Sequence, residues 1–380
     1  MSFTSLGLAP GLLTALKAAG YAEPTPIQRV AIPAVLGHQD VLGIAKTGSG
    51  KTAGYVLPIL HHLQAATISQ YREPTVLVLV PTRELADQVQ QVFQTFIPAL
   101  PERLTCLAVV GGVAINPQMQ AIGKVNILVA TPGRLLELVA KNAVRLSSIA
   151  TLVLDEADQM LNLGFKDEVD RILALLPPRR QNLLFSATLS EDLSRIQQVL
   201  LSHPQVIQIA PAPDEIELIH QLGYLVSEAK KGPLLRYLIQ HGDLQQVLVF
   251  ASSTIKADGI VKKLLKNRIH AAAVHSKLSQ QARRDVLQQF KSGALRVLVA
   301  TDLLARGIDI EFLPCVINYE LPRSPKDYIH RIGRTGRAES PGDAISLICP
   351  EEMAHFKVIE KKMKQRVMIL DGGQIDLQGY

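Results

Sequence analysis

The sequence contains no tryptophan, and aromatic residues of all kinds make up only 4% of it. That scarcity argues against a surface of stacked rings reading individual bases, so any nucleic acid bound here is held mainly by its backbone. Cysteines number three, Cys106, Cys315 and Cys349, widely spaced. They supply neither a disulfide framework nor metal-ligand spacing, and are expected in the core. No uninterrupted apolar run is long enough to span a bilayer. The start, Met1-Ser2-Phe3-Thr4-Ser5, lacks the basic-then-apolar order of a secretory leader. The expectation is a cytoplasmic protein with no membrane partner. Short-period repeats and low-complexity tracts are also missing.

What is present fits a globular chain: 380 residues, 47% apolar and 19% charged, with a formal net charge of +6. That length exceeds one comfortable core and implies two domains. The charge is uneven, +1 over residues 1–210 and +5 over 211–380, which makes the second part the better match for a polyanion.

Apolar spacing over residues 8–19 fits an amphipathic helix ending at Gly20, and Pro24-Thr25-Pro26 then forces an extended turn. Short, continuous apolar runs follow at 41–44, 76–80, 104–110, 127–130, 152–154, 183–185 and 206–209. Continuous rather than alternating runs mark strands buried on both faces, hence a parallel sheet flanked by helices. Ala210-Pro211-Ala212-Pro213-Asp214 interrupts the series as a stiff linker. A second series then begins, at 223–226, 247–251, 270–274, 297–300, 315–318 and 344–348. The reading is an α/β fold of two like domains: 1–210, a linker at 211–218, and 219–370. A Lys- and Arg-rich helix is expected over 351–368, and a flexible polar tail over 371–380.

Ligands on such sheets bind beyond the carboxyl ends of the strands. There, after the first run, stands Ala45-Lys46-Thr47-Gly48-Ser49-Gly50-Lys51-Thr52. Gly48 and Gly50 let the backbone turn its N–H groups inward, Lys51 supplies a point charge, and the Thr52 hydroxyl suits a metal. It reads as a phosphate cradle, although Ala45 stands where the generic pattern has glycine. A nucleotide's magnesium needs a carboxylate at a neighbouring strand end, and Asp155-Glu156-Ala157-Asp158 follows the run 152–154. Asp155 can hold Mg²⁺ through water, and Glu156 can orient or deprotonate an attacking water. Thr131-Pro132-Gly133-Arg134 opens a helix whose free N–H groups suit a phosphate, with Arg134 adding charge.

The cradle, Pro81-Thr82-Arg83-Glu84-Leu85-Ala86, Gly111-Gly112, Thr131-Pro132-Gly133-Arg134, Asp155-Glu156-Ala157-Asp158 and Ser186-Ala187-Thr188 stand in the order of the DEAD-box RNA helicases, which the chain resembles. The second part adds Val249-Phe250-Ala251-Ser252, Gln280 with Arg283, Ala300-Thr301-Asp302 running on to Ala305-Arg306-Gly307-Ile308-Asp309, and His330-Arg331-Ile332-Gly333-Arg334-Thr335-Gly336-Arg337. The resemblance covers nearly the whole chain, and the compact length is similar to the bacterial, RhlE-like branch. It also accounts for Ala45, because the family's cradle commonly begins with alanine.

The resemblance implies two RecA-like domains, with ATP and Mg²⁺ as cofactors and RNA as partner. Thr47, Gly48, Ser49, Gly50, Lys51 and Thr52 would hold the phosphates, with Gly307 and Asp309 meeting the nucleotide from the second domain. Gln28 would bond the adenine edge, which an amide can do by donating and accepting together, and Phe3 would stack on the base. From the residues alone, Phe3 reads equally as a core anchor. Arg83, Gly112, Thr131, Arg134, Gln280, Arg283 and Thr301 would line an RNA strand, single or in a short duplex, through its backbone. Arg334 and Arg337 take the arginine-finger positions, while Ser186, Thr188, Asp158 and His330 would couple the two sites. His330 could also be a satisfied core histidine. The implied activity is RNA-stimulated ATP hydrolysis with local duplex opening. An ATP-gated clamp uses the same residues, and a DNA translocase is disfavoured by Gln28 and the Asp155–Asp158 pattern. Ribosomal or RNA-decay protein partners are left unidentified.

Overall fold

The structure, a computed structural model, describes residues 2–45, 48–65, 73–101, 103–188, 191–209, 219–242, 244–302, 313–336 and 342–380, without the side chains of 65 and 191–194. It divides into two units, Met1–Pro211 and Ala212–Tyr380. The linker expected at 211–218 lies outside the described residues.

In the first unit the strands are β1 (Val41–Ile44), β2 (Val76–Leu79), β3 (Cys106–Val109), β4 (Ile127–Ala130), β5 (Thr151–Leu154), β6 (Gln181–Ser186) and β7 (Gln205–Gln208). They form one sheet in the order β3-β4-β2-β5-β6-β1-β7, parallel at each described pairing. Continuous apolar runs work here because successive side chains feed opposite faces. Val76 and Val78 enter the core on one side of β2, and Leu77 and Leu79 the core on the other. Helices run over Pro26–Leu36, Lys51–Ala65, Arg83–Phe96 and Pro132–Ala140, the last opening within the Thr131–Arg134 stretch that the sequence marks. Pro26 and Pro132 occupy the first turns of their helices, where a missing N–H costs nothing.

The second unit repeats this plan strand for strand. Its strands are β8 (Ile219–Leu225), β9 (Val247–Ala251), β10 (Ala271–Val274), β11 (Val297–Thr301), β12 (Cys315–Asn318), β13 (Gly342–Ile348) and β14 (Met368–Asp371). The order β10-β11-β9-β12-β13-β8-β14 is that of the first sheet with every label advanced by one set.

Two expectations fail near the end of the chain. The helix expected over 351–368 spans only Met353–Met363, because Lys364 turns left-handed at φ 58 and closes it. Residues 368–371 then pair in parallel with β8 as an edge strand. The expected flexible tail is packed: Ile375 and Leu377 lie on the second unit's core, and the Tyr380 hydroxyl bonds His241 at 3.0 Å. The cysteines behave as expected, Cys315 and Cys349 buried and Cys106 partly so, all as free thiols. Burial pushes the Cys106 and Cys315 thiols up to about 12. Among the described residues no helix is long and apolar enough to cross a membrane.

Candidate functional site

At the carboxyl end of β1 the chain turns through Gly48 (φ 74) and Gly50 (φ 88) into the helix Lys51–Ala65. Both angles lie in the left-handed region open to glycine, as the cradle reading requires. Lys51 is 6% exposed and its Nζ donates to the Ala45 carbonyl at 2.5 Å. Gln28 closes the turn from outside. Its Oε1 accepts the Thr25 N–H at 3.0 Å and its Nε2 donates to the Gly50 carbonyl at 3.0 Å. A side-chain carbon at position 50 would sit 2.5 Å from that Nε2, so glycine also lets the two segments approach. Gln28 thus supports the cradle directly, with one N–H and one lone pair left for a base edge. Phe3 is 5% exposed and meets Tyr21 edge-on at 6.3 Å, so its surroundings are those of a core anchor. Thr47 lies outside the described residues.

Asp155 follows β5, and its N–H bonds the Leu79 carbonyl of the adjoining strand. β6 separates β5 from β1, so Asp155 and the cradle stand two strand spacings apart, about 10 Å. Its Oδ1 accepts the Glu156 N–H at 2.9 Å and its Oδ2 accepts the Tyr55 hydroxyl at 2.8 Å. Burial raises the Asp155 carboxyl above its usual range, opposed by the Lys51 charge and these hydrogen bonds. Tyr55, wholly buried, is itself held well above its usual range by burial and by the carboxylate beside it. Hydrogen bonding with Thr52 acts on Tyr55 in the opposite direction, which ties the hydroxyl of the cradle's last residue to this pair. Glu156 has φ 50 and ψ 47, a left-handed conformation uncommon for a residue with a side chain. Among the described residues no three His, Cys, Asp or Glu side chains form a metal cluster. One carboxylate and one hydroxyl are nonetheless hard oxygen donors of the kind Mg²⁺ accepts, completed by water and phosphate.

Asp158 lies in the first turn of the helix Ala157–Asn162 and accepts two hydrogen bonds from Thr188, from Oγ1 at 2.7 Å and from the backbone N–H at 3.1 Å. Ser186, wholly buried at the end of β6, donates to the Thr188 carbonyl at 2.8 Å. The Ala45 N–H in turn donates to the Ser186 carbonyl at 3.0 Å. The expected coupling residues of the first unit are therefore wired to one another and to the cradle.

The expected RNA positions of the first unit also assemble. A side-chain carbon at Gly112 (φ 70) would fall 1.8 Å from the Arg83 guanidinium, so the arginine lies directly on that glycine. The neighbouring Gly111 N–H donates to the Thr131 hydroxyl at 3.3 Å. Arg134 is 6% exposed; it donates to Glu137 at 2.9 Å and to the Val113 carbonyl at 2.8 Å. Its Nη1 is buried with no hydrogen-bond partner among the described residues, as suits a group awaiting an anion.

In the second unit, Gln280 and Arg283 are buried one turn apart, Arg283 donating to the Ser276 carbonyl at 3.1 Å, and Thr301 ends β11. His330 sits exposed on the helix Pro325–Ile332, which removes the core-histidine alternative. Arg334 is 6% exposed. Gly307, Asp309 and Arg337 lie outside the described residues. The sequence reading missed Arg331, the hub of this region. It forks onto both Asp302 oxygens at 2.5 and 2.7 Å, donates to Asn318 at 3.0 Å, and lies 4.7 Å above the Phe250 ring. Tyr55 was also missed, although its place four residues after Lys51 puts both on one helix face.

A glycine cradle on a parallel sheet, with an Asp–Glu pair two strands away, defines the class of P-loop nucleotide hydrolases. Family comparison then specifies the member. Residues 25–196 match the DEAD/DEAH box helicase model, and residues 230–339 match the helicase conserved C-terminal domain. An ATP-dependent RNA helicase CshA of Limosilactobacillus reuteri is 38% identical over 97% of this chain and 73% of its own length. Among solved structures, S. cerevisiae Dbp5 bound to RNA and ADP BeF3 is 30% identical, covering 97% of this chain and 95% of its own, with a TM-score of 0.85. Mss116 bound to ssRNA and UDP-BeF is 25% identical over 99% of this chain and 81% of its own, with a TM-score of 0.87. The chain belongs to the DEAD/DEAH box helicase family.

Proposed function

We propose that the chain is an RNA-dependent ATPase that closes its two units on an RNA strand and so opens short duplexes locally, in the cytoplasm, without processive travel. The observation that carries this reading is Asp155. It is buried beside the cradle, joined by Tyr55 to the Lys51 helix and by its own chain to Glu156 and the Asp158–Thr188 bond. In this reading the triphosphate lies on the backbone of residues 47–52, with Lys51 neutralising its charge. Glu156 takes the proton of the attacking water. Mg²⁺, held by Thr52 and Asp155 through water, would neutralise charge on the phosphates. Gln28 faces the base, with Phe3 anchoring the opening segment in the core, and Gly307 and Asp309 meet the nucleotide from the second unit.

Arg334 and Arg337 then stabilise charge on the transferring phosphoryl group, a contribution worth about 10³–10⁵ in rate. Arg83, Gly112, Thr131, Arg134, Gln280, Arg283 and Thr301 hold phosphates, which fixes the strand without reading its sequence. RNA is told from DNA at the 2′-hydroxyl. Because ATP and RNA favour the same closed form, each raises affinity for the other, with His330 and the Ser186–Thr188–Asp158 wiring passing the signal. The relatives whose structures hold RNA and a nucleotide analogue support this reading. The test is ATPase titration with RNA and DNA of matched sequence. Stimulation by RNA alone is expected; a rate indifferent to RNA overturns the proposal, and equal stimulation by DNA points to a DNA translocase. Failure to separate a short RNA duplex under ATP would favour a clamp.

A further inference from the structure

A cavity of about 260 Å³ lies within the second unit, between the helices Glu228–His241 and Thr254–Lys266. None of the residues assigned above to nucleotide, RNA or their coupling lines it. Two rows at successive i, i+4 spacing face each other across it: Glu228, Gly232 and Arg236 from one helix, Ile255, Gly259 and Lys263 from the other. Two turns of helix make the groove about 12 Å long.

Both glycines stand in helix interiors, where glycine is disfavoured. Neither is required for close packing. A side-chain carbon at Gly259 would meet nothing within 4 Å, and one at Gly232 would make only ordinary contacts, with Arg236 at 3.5 Å and the Tyr319 hydroxyl at 3.8 Å. What the two glycines do is leave the groove open. The floor is apolar, formed by Leu235, Ile260 and Leu264, and the rim carries Ile255 at 75% exposure. Arg236 is only 9% exposed, yet its Nε has no hydrogen-bond partner among the described residues. A buried guanidinium N–H without an acceptor is uncommon and marks a place for one. The other cations differ in commitment. Lys256 is already paired with Glu228 and Glu320, whereas Arg236 and Lys263, at the far end, have no ion-pair partner among the described residues. That end of the groove is therefore uncompensated positive charge beside an apolar floor.

We propose that this groove docks a short segment of a partner protein, one bulky apolar side chain filling the floor and a carboxylate within two residues of it bonding Arg236. An extended peptide rises about 3.3 Å per residue, so about four residues lie along the groove. Charge complementarity and the length of the groove select a peptide over an inorganic anion, which would leave the apolar floor unfilled. The site lies apart from the catalytic and RNA residues, so docking and turnover are separable by mutation.

The experiment pans the full chain against a random nonapeptide display library and measures binding of the enriched peptides by fluorescence polarisation. The expected result is enrichment of an apolar residue next to Asp or Glu. Arg236→Gln should weaken those peptides at least about tenfold, as loss of a charge-assisted hydrogen bond implies. Gly259→Leu, which fills the groove, should abolish binding, and RNA-stimulated ATPase should be unchanged in both variants. The proposal is overturned if no peptide is enriched, if enriched peptides lack a carboxylate, if they bind Gly259→Leu as well as the parent, or if an RNA oligonucleotide competes for the same groove.

Discussion

Tyr55→Phe removes one hydroxyl from a wholly buried position and leaves the ring in its contact with Phe185. The lost interactions are the hydrogen bonding with Thr52 and the 2.8 Å bond to Asp155 Oδ2, and the latter, a hydrogen bond to a charged group, contributes about 1.5–3 kcal/mol. For a unit of this size 1 kcal/mol moves the melting temperature by about 2–4 °C, so a fall of about 3–12 °C is expected. The pH dependence gives the sharper test. Burial raises the Asp155 carboxyl in the folded state, so its ionisation opposes folding increasingly as pH rises through that raised range. The Tyr55 hydroxyl offsets part of that penalty, and its own titration lies well above neutral and does not interfere. The variant should therefore lose more stability at about pH 8 than at about pH 5, because protonation of the raised carboxyl on the acid side weakens the bond it accepts from Tyr55. Unfolding in urea at both pH values, parent against variant, measures the difference. Equal stability at the higher pH, or a deficit that does not shrink in acid, would refute the reasoning.

Glu156→Gln should keep nucleotide and RNA binding while turnover falls by about 10²–10⁴, the usual worth of a general base; normal hydrolysis would remove Glu156 from that role. Gly112→Ala should push Arg83 away, because the added carbon overlaps its guanidinium. RNA affinity should then drop, and the salt slope of binding should fall by about 0.7, one phosphate contact's share, in a titration over ionic strength. Arg331→Ala strips Asp302, Asn318 and the Glu320 carbonyl of their shared donor. The second unit should lose about 3–5 kcal/mol in chemical denaturation, with Arg331→Lys recovering only part because a point charge cannot fork.

The strands were legible because burial on both faces leaves an uninterrupted apolar run that a helix-flanked parallel sheet alone explains. β14 was not: three exposed residues and one half-buried residue after a lysine-rich helix carry no period of their own, and pairing with β8 decides their state. The cradle and Asp155 were readable because their chemistry is local in sequence. Tyr55 and Arg331 were hidden because their partners are 100 and 29 residues away. Gln28 shows a third case. Its amide chemistry was visible, but its grip on the Gly50 carbonyl depends on a turn that only the folded chain brings within reach.

The left-handed backbone of Glu156 sets two demands against each other at a single position. A conformation of this kind costs about 1–3 kcal/mol in a residue bearing a side chain. Glycine, which adopts it freely, would make the first unit more stable and leave it without the base proposed for the attacking water. Enrichment for thermal resistance alone would therefore drift away from glutamate at position 156, and only a screen that also demands turnover would hold it there.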